Sequence, residues 1–131
     1  MAAAEIEIIL NRQLADCLSV PVFIVDPVGT LLFYNEPAEK ILGKRFEETG
    51  EMLVQEWSTT FEPIDAEGKA IPADELPLMK AMNLHEPAHK SFWIRGFDRQ
   101  IRSISVTAYP IIGRSKKISG AVSIFWINKQ E

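Results

Sequence analysis

The most informative stretch of the sequence is residues 21–43, which read PVFIVDPVGTLLFYNEPAEKILG. Two short runs of β-branched, aromatic and other apolar residues flank Asp-Pro-Val-Gly at residues 26–29, and this turn chemistry predicts a β-hairpin. Asn35 directly follows the second run and predicts a helix N-cap, with Pro37 in the first helical turn, where a missing N–H costs nothing. Gly43 predicts the end of that helix. Residues 21–43 therefore predict a hairpin that leads straight into a short capped helix.

Length and composition indicate one globular domain. The chain has 131 residues, of which 47% are hydrophobic and 24% charged, and a chain of this size forms a core without disulfides. Its net charge of −4 argues against a nucleic-acid partner, because neutralising phosphates requires a basic face. The single cysteine is compatible with a reducing cytoplasm, where we expect the protein. We expect no membrane span, because no apolar run approaches the roughly 20 residues that one requires, and no signal peptide.

Residues 3–18 predict an amphipathic helix, because apolar residues recur there at spacings of three and four. Pro21 requires this helix to end before it. Two interpretations of its apolar face stay open: the face packs on its own domain, or it also forms a subunit contact in a homodimer. Leu18 ends the face, and the candidate dimer contact consists of Ile6, Ile9, Leu10 and Leu14.

The middle of the chain predicts short helices and loops. One helix is predicted at residues 47–57, where Leu53 and Trp57 lie four residues apart, and residues 58–72 resemble a loop because Pro and Gly recur in them. A second helix is predicted from an N-cap at Asp74 to about residue 84, with Pro77 in its first turn.

The C-terminal part predicts three β-strands, at residues 90–95, 100–112 and 118–128, with turns at residues 96–98 and 113–117. The second strand alternates apolar and hydroxyl residues, which is typical of an antiparallel strand with one solvated face. The third is apolar on both faces, so we expect it to be central and covered on its outer side by the N-terminal helix or by a partner subunit. The element order predicts an α+β domain with one antiparallel sheet and helices packed on one face.

The order of these blocks resembles a PAS domain. The resemblance covers about residues 15–128 and is carried by residues 21–43, by IRSISVTAYPI at residues 101–111 and by ISGAVSIFWIN at residues 118–128; DAEGKAIPADELPLMKAM at residues 65–82 resembles the variable segment of one PAS subgroup. It implies a five-stranded antiparallel sheet in the order 2-1-5-4-3, with short helices enclosing a small cavity on one face. The PAS-like domain would then span residues 21–128, between the amphipathic helix in residues 1–20 and a tail of residues 129–131.

The resemblance also implies a function in signal transduction. PAS domains are sensory and interaction modules that bind a small molecule or a partner and relay a conformational change to an output domain or signalling protein. This chain lacks the Asp-Ile-Thr-like motif with which many relatives lead into a signalling helix, and it contains no recognisable output domain. Two interpretations stay open, a stand-alone domain or a piece of a longer protein.

Reactive residues form no recognisable catalytic or cofactor pattern. His85 and His89 have the i,i+4 spacing of a helical metal site, but Pro87 between them breaks that geometry, which argues against metal and haem. The Asn-Cys-Arg-type motif of flavin-binding relatives is missing, and we expect Cys17 to be a small packing residue. The sequence shows no Ser/His/Asp arrangement, phosphate loop or carboxylate pair, so we expect no enzymatic activity and can name no cofactor.

The family fold implies where a ligand would lie. Two functions stay open, a sensor that binds a small apolar molecule and a ligand-free dimerisation module, because the same apolar residues also suit a filled core. The predicted cavity lining comes from the first strand, the middle helices and the last two strands: Phe23, Val25, Leu53, Trp57, Met79, Met82, Ile104, Val106 and Ser123.

Overall fold

The computed structural model describes residues 3–95, 99–113 and 116–128 and has an α+β fold. Its antiparallel strands form a five-stranded sheet in the order β2-β1-β5-β4-β3, which confirms the predicted sheet. The predicted turn at residues 96–98 and part of that at residues 113–117 lie outside the described residues. The strands are β1 (Val22–Val25), β2 (Leu31–Tyr34), β3 (Ala88–Arg95), β4 (Ile101–Ile112) and β5 (Ile118–Ile127). The helices are α1 (Ala3–Cys17), α2 (Glu36–Leu42), α3 (Phe46–Thr49), α4 (Val54–Thr60) and α5 (Pro77–Leu84), with a 3₁₀ turn at Ala73–Glu75.

The hairpin and the first capped helix form as the sequence predicts. The Asp26 carboxylate accepts hydrogen bonds from the backbone N–H groups of Val28 and Thr30, at 3.1 and 2.9 Å, and this fixes the turn between β1 and β2. The Asn35 side chain caps α2, and Gly43 ends it in the left-handed conformation with a φ of 87°. These predictions are confirmed, and they could be made from sequence because each depends only on neighbouring residues.

The single helix predicted at residues 47–57 is wrong, since the structure has two helices there. Gly50 takes a φ of 65° and its N–H donates to the Phe46 carbonyl at 2.7 Å, which closes α3. The chain then becomes extended, and Met52 pairs with Leu31 of β2 before α4 begins. Because α4 extends to Thr60, it also occupies the start of the predicted loop.

The predicted N-cap at Asp74 is also wrong. Asp74 lies inside the 3₁₀ turn, and α5 begins after Leu76, with Pro77 at its first position. Leu76 is extended, with φ −75° and ψ 145°, because the ring of a following proline disfavours the helical conformation. The helix therefore starts at the proline, later than an Asp74 cap requires.

Both faces of the sheet are covered, by different helices. The inner face packs against α2, α4 and α5 in the main core, and the outer face packs against α1. The α1 residues in this second contact include Ile8 and Ala15, and Leu18 just after the helix joins them near Ile24 and Val122. The expectation that β5 is central and covered on its outer side is confirmed, and α1 provides that cover.

The connection between β2 and β3 reaches both edges of the sheet. Met52 and Leu31 exchange backbone hydrogen bonds of 2.7 and 3.1 Å at the β2 edge. Ile64 and Trp93 exchange bonds of 2.8 and 3.0 Å at the β3 edge. Each edge strand therefore has one extra residue paired to it from the same helical connection.

Candidate functional site

A cavity of about 60 Å³ lies between the inner face of the sheet and the helices. Every residue that lines it is buried, and the lining is almost entirely hydrocarbon and aromatic. The walls come from strands β1, β3, β4 and β5, from α2, α4 and α5, and from the segments before α5. The lining residues are Phe23, Leu42, Trp57, Phe61, Pro63, Leu76, Pro77, Leu78, Phe92, Ile94, Ile104, Val106, Ser123 and Phe125.

Aromatic rings form one side of the cavity. The Phe23 ring lies 5.6 Å from the Phe61 ring and 5.3 Å from the Phe125 ring, measured between centroids. The Phe23–Phe125 pair is edge-to-face, with an interplanar angle of 87°, which is a favoured geometry for aromatic pairs. These contacts hold the Phe23 side chain in place between the sheet and the segment after α4.

Trp57 is fixed in the cavity wall by its polar atom. Its indole Nε1–H donates a hydrogen bond of 2.8 Å to the Gly29 carbonyl in the turn between β1 and β2. A buried indole N–H without an acceptor is costly, so this bond determines which edge of the ring faces the cavity. The wall at Trp57 is therefore tied to the β1–β2 hairpin.

Ser123 is the polar exception among the lining residues. It is 2% exposed and lies on the inner face of β5 with Ala121 and Phe125, because side chains alternate along a strand. Its Oγ is the side-chain oxygen of the lining. The cavity therefore offers an occupant one hydrogen-bonding atom in apolar surroundings.

The structure brings five of the predicted lining residues together around this cavity: Phe23, Trp57, Ile104, Val106 and Ser123. Val25 and Met82 are buried in the same core without lining the cavity, and Met79 is half-buried against it. The placement expected for Leu53 is wrong, because its side chain is 54% exposed. Leu53 precedes the first residue of α4, so the helical spacing that relates it to Trp57 does not apply.

Some lining residues could have been found from strand alternation. Phe92 and Ile94 are two apart on β3, and Phe125 lies two residues beyond Ser123 on β5, so the period-two pattern places each on the inner face. Leu42 on α2 and Phe61 after α4 carry no such signal. They reach the cavity through the packing of separate helices on the sheet.

The candidate dimer contact forms an exposed stripe on α1. Ile6, Ile9, Leu10 and Leu14 are 42–58% exposed, so this stripe is not the face that packs on the sheet. Cys17, at the end of α1, is exposed, and the expectation that it is a packing residue is wrong.

Ionisable groups contribute little to the cavity. Burial raises the pKa of Tyr34, which packs beside Phe23, although a hydrogen bond to Thr49 lowers it in part. His85 and His89 are exposed. Within residues 3–95, 99–113 and 116–128, no group of three or more His, Cys, Asp or Glu side chains could hold a metal ion. In the same ranges, every helix is too short or too polar to cross a membrane.

The cavity is small for a cofactor. A cavity of roughly 150 Å³ holds benzene, and this one has about 60 Å³. The haem and flavin ring systems are larger than benzene, so either of them would require wall residues to move.

Solved structures share the fold at low sequence identity. A PAS domain from Colwellia psychrerythraea matches with 16% identity and a TM-score of 0.66, covering 92% of this chain and 96% of that one. The LOV protein of Rhodobacter sphaeroides matches with 12% identity and a TM-score of 0.71, covering 95% and 68%. The light-state dimer of the fungal blue-light photoreceptor Vivid matches with 8% identity and a TM-score of 0.64, covering 82% and 77%. A comparison with curated proteins finds no match.

An antiparallel sheet in the order β2-β1-β5-β4-β3 with helices on its inner face is the fold that this chain shares with these PAS and LOV structures. The PAS domain family matches residues 10–77, just over half of the sequence, and the chain belongs to this family. PAS domains are sensory and signalling modules and are typically not catalytic. The family predicted from the order of sequence blocks is confirmed.

Proposed function

We propose that this PAS domain holds a small apolar molecule in its core cavity and relays the presence of that molecule through a conformational change. The observation that supports the proposal is the cavity itself, a space of about 60 Å³ within buried and mainly apolar walls. Empty space in a protein core costs stability, because the lining atoms lose packing contacts. A molecule that fills the space restores those contacts, and the free energy recovered drives its binding.

The size of the cavity limits its occupant. Since about 150 Å³ accommodates benzene, a cavity of about 60 Å³ suits a molecule of only a few heavy atoms. A larger molecule requires Trp57, Phe61 or another wall residue to move. Such a movement would transmit binding to the surrounding helices, which is what a sensor requires.

Xenon tests the cavity whatever its natural ligand is, because this gas binds apolar cavities of this kind. We expect the methyl NMR signals of Ile104 and Val106, which line the cavity, to shift on xenon addition and to saturate. Methyl signals of Ile9 and Leu14 on the exposed face of α1 serve as internal controls and should show only weak, non-saturating changes. The absence of saturating shifts at Ile104 and Val106 would contradict the proposal.

A second candidate function, homodimerisation through α1, is supported by the exposed stripe of Ile6, Ile9, Leu10 and Leu14. Exposed apolar residues that are contiguous mark interaction sites more often than isolated ones do. Native mass spectrometry separates the two candidates, which can also hold together. Added mass that is lost on denaturation supports a bound ligand, whereas twice the chain mass supports the dimer. A bare monomer at micromolar concentration would contradict the dimerisation candidate.

A further inference from the structure

The side chain of Asn35 joins segments on both sides of the sheet. It is 1% exposed. Its Nδ2 group donates to the carbonyl of Ala15 in the last turn of α1 and to the carbonyl of Val20, both at 2.9 Å. Its Oδ1 atom accepts from the N–H of Val22 in β1 at 3.0 Å and from the N–H of Ala38 in α2 at 3.3 Å. The amide therefore donates to the end of α1 and to the segment that follows it, and it accepts from β1 and α2.

Both elements on the acceptor side lead to the cavity. Helix α2 begins after Asn35 and ends at Leu42, which lines the cavity. In β1, Phe23 lines the cavity and directly follows Val22. A displacement of Leu42 therefore acts through α2 on the N–H of Ala38, which is bonded to Asn35. A displacement of Phe23 acts on the neighbouring Val22, whose N–H is also bonded to Asn35.

On the donor side, α1 also packs on β5 and β1 of the sheet through side-chain contacts. Ile8 and Ala15 pack on the outer face. The Arg12 guanidinium lies 4.5 Å from the centroid of the Phe33 ring. A peripheral helix with few buried residues undocks more readily than the sheet unfolds, and the bond from Asn35 to Ala15 ties the last turn of α1 to the hairpin.

We propose that Asn35 couples the cavity to α1, so that an outward displacement of Leu42 weakens the hydrogen bonds of Asn35 and loosens the docking of α1. The two states are α1 docked and α1 undocked, and the cavity wall and α1 bias the same equilibrium. The proposed sensory function supplies the physiological trigger of this coupling. The coupling itself belongs to the fold, and it can be tested with no ligand present.

The substitution Asn35→Asp separates the two sides of the amide. Aspartate is a good N-cap and keeps the acceptor toward Val22 and Ala38, but it loses the donors and places a carboxylate oxygen against two carbonyls. Asn35→Ser keeps an N-cap hydroxyl, adds no charge and is too short to reach α1, so it provides a second variant should the aspartate prevent folding.

The readouts are amide hydrogen exchange of α1 and the mobility of a nitroxide on Cys17, the single cysteine of the chain. Loss of the bond to Ala15 in α1, together with the bond to Val20 in the segment that follows, is expected to speed α1 exchange severalfold to about tenfold, while the amides of β4 and β5 keep their protection. Tyr34→Phe is the matched control, because it removes hydrogen bonds to Lys44 and Thr49 on the other side of the sheet. Unchanged α1 exchange in both Asn35 variants, or an equal change in Tyr34→Phe, would overturn the proposal.

The second experiment tests the link to the cavity. Leu42→Val and Ile104→Val each remove one methylene from the cavity wall, but only Leu42 belongs to the helix that Asn35 caps. We expect Leu42→Val to speed α1 exchange severalfold, Ile104→Val to leave it unchanged, and the Leu42 effect to disappear in the Asn35→Ser background. Equal effects of the two wall variants, or an effect of Leu42→Val that persists without Asn35, would overturn the coupling. Because neither experiment uses a ligand, a failure of xenon to bind counts against the sensory function alone.

Discussion

Filling the cavity from Ser123 is expected to stabilise the domain and to abolish xenon binding. Ser123→Val replaces a hydroxyl in apolar surroundings with apolar groups worth about 0.8 kcal/mol per buried carbon. Extra carbon in a tightly packed core costs about 1–3 kcal/mol, but here a cavity of about 60 Å³ is available to receive it. Allowing for some residual strain, we expect the free energy of unfolding to rise by about 1–2 kcal/mol.

This gain is large enough to measure. With about 2.1 cal/mol/K of unfolding entropy per residue, a chain of 131 residues has about 0.28 kcal/mol/K in total, so each kcal/mol raises Tm by about 4 °C. Thermal and urea unfolding should therefore show a Tm increase of about 4–7 °C for Ser123→Val. A larger residue such as tryptophan is a poorer choice, because its ring system exceeds the cavity and would displace the walls.

Two further variants separate the causes of the effect. Ser91→Val makes the same change at an exposed position on β3 and measures the gain from strand propensity less the loss of the 2.9 Å hydrogen bond between the Ser91 and Ser105 hydroxyls. Ser123→Ala removes the hydroxyl but leaves the cavity open, so it should stabilise less and still bind xenon. A loss of more than about 1 kcal/mol in Ser123→Val, or persistence of the xenon-induced methyl shifts, would refute the reasoning about this cavity.

The remaining predictions concern α1, the sheet and the tyrosines. If α1 forms a dimer, Leu10→Glu should convert it to a folded monomer on a sizing column, because a charge buried at a contact costs a few kcal/mol; an unchanged elution volume would remove α1 from the interface. Gly120→Ala should cost several kcal/mol or prevent folding, because Gly120 has a φ of 147° and an added Cβ would collide with the Val25 carbonyl oxygen; a melting curve like that of the unsubstituted protein would contradict this. Burial raises the pKa of both Tyr34 and Tyr109 above the usual 10.0, so the unfolded chain ionises first and stability should fall as the pH rises above about 10. An absorbance titration in which both tyrosines ionise at the ordinary value in the folded protein would contradict that sign.

The sheet was predictable because its signals are local. Asn35 and Gly43 mark the ends of α2 by their own chemistry, and the two apolar faces of β5 require a central position whatever lies on either side. Strand order then followed from the family resemblance, and the structure has that order. Local chemistry combined with the succession of blocks was sufficient for this level of the fold.

The face that α1 presents to the sheet was not predictable from its apolar spacing. Large side chains such as Phe33 and Ile24 already cover the outer surface of the sheet. Helix α1 packs on this surface through the small residue Ala15 and through Ile8, which leaves Leu10 and Leu14 outside. The spacing identifies an apolar stripe but does not reveal which face is complementary in shape to the sheet.

The cavity could be predicted in position but not in volume. Ile104, Val106 and Ser123 follow from strand alternation, whereas the remaining space depends on how far Leu42 and Phe61 enter from separate helices. The role of Asn35 beyond α2 was missed for a related reason. Its bond to Ala15 joins residues that are 20 apart in the chain, and no local sequence pattern predicts such a contact.

The pairing of Met52 and Ile64 with opposite edges of the sheet has a consequence for aggregation. Exposed strand edges are templates on which other chains add strands, and natural sheets block them in several ways. Here the connection that builds the cavity wall also occupies backbone groups at the β2 and β3 edges, through Leu31 and Trp93. An extra strand cannot pair with Leu31 or Trp93 without first displacing that connection. A substitution that loosens the connection should therefore expose the backbone groups of Leu31 and Trp93 to strand addition by other chains. We expect such a variant to lose solubility before it loses sensory function.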